Sequence, residues 1–157
     1  MAASAAAAAA TRQLTLAVIK PDLFANPARV QAIMDVIQEH RFEIKHSAVV
    51  RWTRADAERF YAEHHGKFFF NRLTGYMSSG PMQPMVLERE DAIRYWRLLM
   101  GPTHPARARQ NSPNTLRSIY GLSDTRNSLH GSDSKASALR EIGFFFPDLP
   151  IDWPSTP

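Results

Sequence analysis

The hydrophobic residues of this chain alternate between two rhythms. Leu14 to Ile19 is a short apolar run stopped by Lys20-Pro21-Asp22. A run of that length with proline behind it predicts a buried strand. Asn26-Pro27 then pairs a capping residue with proline at the first helical position, and Val30, Ile33, Met34 and Ile37 repeat at i, i+3, i+4, i+7. That spacing is the core stripe of a helix ending near Arg41. Phe42 to Trp52 alternates loosely and is rich in β-branched residues, which predicts a second strand. Thr53 caps a second helix reaching His64, and Phe68 to Met77 forms a further helical segment. Ser79-Gly80-Pro81 is a turn, Met82 to Leu87 a third strand, and Asp91 to Met100 a helix with Ile93, Trp96 and Met100 inward. Gly101 to Asn114 holds three prolines and no apolar period, so a long loop is expected there, of the kind that carries function. Ser128 to His130 fits a fourth short strand. Asp133 or Ser134 starts a last helix with Leu139, Ile142 and Phe145 or Phe146 inward, ended by Pro147.

The order is β-α-β-(α)-β-α-loop-β-α. It predicts an α+β fold: a ferredoxin-like, four-stranded antiparallel sheet covered by helices, here expected on one face. A chain of 157 residues suits one such domain. The organisation is an Ala-rich arm over 1–12, expected to be disordered, a folded domain over 13–147 and an irregular tail over 148–157. The first ten residues are Met1, Ser4 and eight alanines, too weakly hydrophobic for a membrane span or a secretory signal. With Arg12 and no acid before Asp22, the arm faintly suggests a mitochondrial presequence, so mitochondrial and cytoplasmic residence both stay open.

The absence of cysteine excludes a disulfide framework, a thiol nucleophile and Cys-ligated zinc or iron–sulfur sites. The formal charge is only +4, but its distribution is uneven. From Ala92 to Ser123 there is no acidic residue, while Arg94, Arg97, Arg107, Arg109 and Arg117 all fall there. Such a stretch is an arginine-studded solvent face or an anion site, and the missing carboxylates favour the anion site. The sequence has no G-x-x-x-x-G-K-[ST], no G-x-G-x-x-G and no G-x-S-x-G. Any phosphate chemistry is therefore organised without the usual glycine loops.

Of the six histidines, His64 and His65 read as a solvated helix end, and His40 and His46 as surface residues flanking a helix-to-strand join. His104 lies in the arginine-rich loop. His130 stands in Asn127-Ser128-Leu129-His130-Gly131-Ser132-Asp133-Ser134, at a strand end just before a helix start. A helix start offers free N–H groups to a phosphate, and a neutral imidazole is a nucleophile near pH 7. His130 is thus a candidate phosphoryl acceptor.

That octapeptide resembles the active-site signature of the nucleoside diphosphate kinase family. Five further blocks agree in order: Ala17 to Asp22; Phe69 and Leu73 before Tyr76-Met77-x-Ser79-Gly80-Pro81; Met100-Gly101-x-Thr103-x-Pro105-Ala106; Thr115-Leu116-Arg117; and Glu141-Ile142-Gly143. The resemblance covers Leu14 to Phe146 and is to a divergent type within the family. It implies ping-pong transfer of a phosphoryl group from a nucleoside triphosphate, usually ATP with Mg²⁺, to a nucleoside diphosphate through a phosphohistidine at His130. It also implies roles by position. Lys20 and Asn127 bind ribose hydroxyls, Lys20 also the phosphate. Phe69 stacks on the base with Leu73 nearby. Arg97, Thr103 and Arg117 hold the phosphates. Tyr61 lies beside the transferred phosphate, and Ser132 and Glu141 orient the imidazole, beside which Gly131 leaves room. No protein metal ligand is expected, because Mg²⁺ would be held through nucleotide phosphates.

The sequence departs from the family at three places. The loop between Pro105 and Thr115 is longer by about three residues. Phe68 stands where the family usually has proline, and a short tail replaces a longer C-terminal extension. In the common form this loop helps subunits associate into a hexamer, so a dimer or monomer is the expectation here. A second reading, favoured by the altered loop, is a weakly active or inactive module of the same fold working through a protein partner. Nucleic-acid binding is the weakest reading, since the basic excess is small and no recognition motif is present.

Overall fold

A computed structural model describes residues 12–123 and 125–154. The expected arm falls on residues 1–11, outside the described residues, except for Arg12. Arg12 is not part of an arm: it opens the first strand, opposite Glu90, and its Nε lies 2.9 Å from Glu88 Oε1. The sheet has four antiparallel strands in the order β2-β3-β1-β4. These are β1 (Arg12–Ile19), β2 (Glu43–Ser47), β3 (Gln83–Glu90) and β4 (Leu129–Gly131). The fold is the expected ferredoxin-like α+β arrangement.

The helices, however, cover both faces of the sheet rather than one. Alternate residues of a strand point to opposite sides. Leu14, Leu16 and Val18 of β1 join Val86 of β3 and Met82 just before it in one core cluster. Ala17 and Ile19 join Met85 and Leu87 in the other. This is why the β1 run is apolar at every position from Leu14 to Ile19 except the buried Thr15, instead of alternating: both of its faces are buried. The first cluster is closed by α3 (Arg54–Phe60), α4 (Phe70–Met77) and α8 (Lys135–Phe145). The second is closed by α1 (Pro21–Phe24), α2 (Pro27–Glu39) and α5 (Ala92–Met100).

The helix starts follow capping chemistry. Asn26 accepts from the Arg29 amide with Pro27 at the first helical position. Thr53 and Asp56 form a reciprocal capping box, and Ser134 accepts from the Ser137 amide. Helix α3 stops at Phe60, short of the expected His64, and Ala62–His64 continues as a short 3₁₀ turn.

The segment expected to be a long loop is not irregular. It holds α6 (Pro105–Asn111), followed closely by α7 (Leu116–Tyr120). Ala106, Arg107, Ala108, Arg109 and Gln110 are strong helix formers behind an N-terminal proline. Only Pro105 and Ala108 of α6 are buried, so the segment carries no apolar period to betray it. The described tail, 148–154, has no helix or strand, yet Ile151 and Trp153 pack on the first core cluster. No helix among the described residues is long and apolar enough to cross a membrane.

Candidate active site

The site forms where β1 and β4 end side by side. The antiparallel register sets Ile19 opposite Leu129, Val18 opposite His130 and Ala17 opposite Gly131. Lys20, one residue past β1, therefore meets the segment that leads into β4. Its amide donates to the Ser128 carbonyl at 2.9 Å, and its Nζ donates to Asn127 Oδ1 at 2.7 Å. Lys20 is buried, and burial, with help from the Arg117 charge and against that of Asp22, lowers its pKa to about 7.

Ser128 sits in the left-handed region at φ 77°, a conformation that costs a non-glycine residue energy. Surrounding bonds hold it there. Its hydroxyl lies 3.0 Å from both Asp22 Oδ2 and the Tyr120 carbonyl, and the Tyr76 hydroxyl donates to the other oxygen of Asp22. This bend turns the chain so that the next residues, Leu129 and His130, enter β4 beside β1.

The His130 imidazole is fixed from α8. Its Nε2 is 2.8 Å from Glu141 Oε1, and Ser132 Oγ donates to the same oxygen at 2.8 Å. Ser132 is itself pinned to β1, accepting from the Leu16 amide at 3.1 Å and donating its own amide to the Leu16 carbonyl at 3.2 Å. Burial pushes the Glu141 carboxyl up, but the bonds and charge of His130, then Ser132 and Arg140, outweigh it and hold the carboxyl below its usual range. An ionised carboxylate cannot donate, so the proton between the two belongs to His130 Nε2. The lone pair left on the neutral ring is at Nδ1.

Two adjoining hollows meet at His130. The outer one, of about 510 Å³, is lined by Lys20, Phe69, Leu73, Thr103, Arg117 and Asn127 among others. The inner one, of about 290 Å³, includes Tyr61, Arg97, Thr103, Arg117, Gly131 and Glu141. Eleven of the twelve residues singled out from the sequence thus line this cleft, and Ser132 lies behind Glu141. Arg117 is buried, with its terminal nitrogens donating to the carbonyls of Gly101 at 3.1 Å and Leu129 at 2.9 Å. Its Nε is buried without a partner. Burial, then the nearby Arg97, lowers its pKa to about 10. Asn127 Nδ2 donates to the Thr103 carbonyl at 3.4 Å, tying the wall to the floor.

His64 was not expected here. It lines both hollows, its ring 6.2 Å from that of Tyr61 at 28° and 5.4 Å from that of Phe69. The sequence offered a faint signal, the three-residue step from Tyr61 to His64. Phe68 stands at the rim of the outer hollow and is 90% exposed. No group of three or more His, Asp or Glu that could hold a metal occurs among the described residues. The wall around Arg97, Thr103 and Arg117 offers cations and a hydroxyl, donors suited to phosphate oxygens and not to a bare cation.

Comparison with known proteins identifies the family. The family described as nucleoside diphosphate kinase matches residues 13–151. Nucleoside diphosphate kinase 6 of Danio rerio is 57% identical over 87% of this chain and 78% of its own. The Homo sapiens protein of the same name is 49% identical over 87% and 74%. The crystal structure of the Aquifex aeolicus nucleoside diphosphate kinase superposes with a TM-score of 0.84 at 38% identity, covering 90% of this chain and 99% of that one. The fold is an α+β sandwich whose cationic cleft holds a histidine–glutamate pair. The chain belongs to the nucleoside diphosphate kinase family.

Proposed function

We propose that the chain is an active nucleoside diphosphate kinase that passes the terminal phosphoryl group of a nucleoside triphosphate, ATP foremost, to a nucleoside diphosphate through His130. The observation that carries this reading is the Glu141–Nε2 bond, which leaves Nδ1 as the nucleophilic nitrogen of a histidine at the junction of the two hollows. In the first half-reaction Nδ1 attacks the γ-phosphorus. The N–P bond forms, the P–O bond to the β-phosphate breaks, and the nucleoside diphosphate leaves with that oxygen. Positive charge that develops on the ring is shared with Glu141 through the Nε2 proton. A second nucleoside diphosphate then takes the phosphoryl group by the reverse step, and Nδ1 is regenerated.

Such transfers need positioning and charge neutralisation more than covalent chemistry. Arg97 and Arg117 supply positive charge, and Thr103 a hydroxyl, where the phosphates lie. Lys20 and Asn127 hold the ribose end. Phe69 offers a face to any base, with Leu73 beneath, so broad nucleotide use is expected. Mg²⁺ bound through the nucleotide's phosphates would supply further charge neutralisation.

The test is incubation of the purified chain with γ-labelled ATP and Mg²⁺. Acid-labile, base-stable label that moves to added nucleoside diphosphate is expected. The same label on a His130→Ala variant would refute the assignment of the acceptor. A second reading keeps the fold and the nucleotide site but little turnover, with function exercised through a protein partner. Helix α6 in the lengthened segment favours it, because that segment precedes Arg117 on the cleft wall. Tight nucleotide binding by the purified chain with no transfer would select this second reading.

A further inference from the structure

The imidazole of His130 is held at Nε2, but its main chain belongs to the shortest strand of the sheet. β4 has three residues and lies at the sheet's edge, paired only with β1. Three residues of one ladder are a weak platform for a nucleophile that must be aimed to within a fraction of an ångström. A second support comes from the opposite face. The Trp96 indole Nε1 donates to the His130 carbonyl oxygen at 3.1 Å. Trp96 is completely buried in the second core cluster and packs edge-on against Phe42, their ring centres 5.9 Å apart at 82°.

The neighbouring glycine fits the same arrangement. A Cβ on Gly131 would fall 2.6 Å from Trp96 Cδ1 and 3.1 Å from Nε1. The indole therefore occupies the space that a side chain at position 131 would need. Trp96 also immediately precedes Arg97, which lines the phosphate end of the cleft. One turn of α5 thus reaches both the histidine main chain and the phosphate wall.

We propose that Trp96 is a positioning residue for the phosphoryl-accepting histidine. His130 is gripped from two faces of the sheet, at its ring by Glu141 of α8 and at its carbonyl by Trp96 of α5. The N–H of the indole is the part that matters, since the surrounding ring contacts could be supplied by any large apolar side chain. This inference rests on the proposed kinase function for its kinetic consequence and on the structure alone for its geometric one.

The test uses Trp96→Phe, which keeps an aromatic ring against Phe42 and deletes the donor. As a second variant, Trp96→3-benzothienylalanine keeps the indole's shape and replaces only N–H by sulfur. Single-turnover labelling of His130 from γ-labelled ATP, expressed per folded molecule, is expected to slow about tenfold, the worth of one hydrogen bond. ADP affinity should stay at the wild-type level, because Trp96 is buried and lines neither hollow at His130. The ring nitrogens of His130, followed by ¹⁵N NMR in the unliganded protein, should shift as the Nε2–H bond to Glu141 loses its fixed geometry. A purely structural role would lower the melting temperature alone. Wild-type labelling rates with unmoved ring resonances in either variant overturn the proposal. Should the wild-type chain take no label from ATP, the kinase reading fails, and the ring resonances of the variants still decide whether Trp96 aims His130.

Discussion

At the scale of single residues, two buried charges give the site its chemistry. Glu141 is ionised because His130 and Ser132 satisfy the oxygen that burial would otherwise neutralise. Glu141→Gln exchanges a charge-assisted bond for a neutral one and permits the ring to flip its proton. Labelling of His130 should slow by about ten- to a hundredfold, the range expected for a hydrogen bond to a charged group, with ADP affinity little changed in calorimetry. Lys20 is the opposite case, a cation whose burial brings its pKa from 10.5 to about 7. The unfolded chain then binds more protons than the folded one between these values, so this group makes stability rise with pH from about 7 to about 10. Nucleotide phosphates reverse the effect by favouring the charged amine, and binding draws in a proton. ADP affinity should fall as pH rises above 7, by up to about tenfold per unit, and Lys20→Met should flatten the profile while weakening binding. A flat profile for the wild-type chain would show that Lys20 is already fully charged before nucleotide arrives. The His130 signature was legible because its residues are contiguous, and Glu141 was legible only through the resemblance. His64 was not, since a histidine at a helix end looks solvated until the segments carrying Phe69 and His130 are brought against it. Trp96 read correctly as core, but its N–H acts on a carbonyl 34 residues away.

At the scale of elements, strands and caps were visible from the sequence wherever an apolar period or a capping residue marked them. Leu14–Ile19 announced β1, and Asn26-Pro27, Thr53 and the pair Asp133 or Ser134 announced three helix starts, the last of which Ser134 caps. What escaped was α6, which buries too few side chains to leave a stripe, and the second covered face of the sheet. That face is encoded in Ala17 and Ile19 of β1, but a run apolar on both faces does not say what will cover each side. The junction between α5 and the α6–α7 segment is set by Gly101, at φ 81°, where an added Cβ would fall 2.2 Å from Thr115 Oγ1. Gly101 also supplies the carbonyl that anchors Arg117. Gly101→Ala therefore meets both a backbone penalty and a clash, and should destabilise the chain by about 1–3 kcal/mol or more. Thermal melts measure that loss. The same variant should bind ADP more weakly at temperatures where it is folded, because the displaced wall carries Thr103 and Arg117. Unchanged ADP affinity would mean that the wall forms independently of this junction.

At the scale of the whole molecule, the open question is how copies associate. The sheet has two edges of unequal kind. β4 is three residues long, whereas β2 presents five exposed residues along the other edge, with Ile44 on it and Val49 just beyond, both exposed. Glu43, Lys45 and the register shift between Ile44 and His46 blunt this edge, but its free backbone groups can still pair with a second copy, and a two-fold axis through it closes after two copies. A hexamer would additionally require the segment around α6 to pack tightly between copies. Read from the sequence blocks, that segment is expected to be longer than the common family form by about three residues, and packed contacts leave little room for added backbone. On α6 the exposed Arg109 donates to the carbonyls of Ser118 and Gly121. Arg107 remains exposed on α6, and repetition by symmetry would still set that charge against its copies. The expected assembly is therefore a dimer through β2. Light scattering at micromolar protein should give the mass of two chains, and Ile44→Lys with Val49→Lys should convert it to one without loss of nucleotide binding. A stable mass of six chains would overturn the argument from α6, and a wild-type monomer would overturn the argument from the β2 edge.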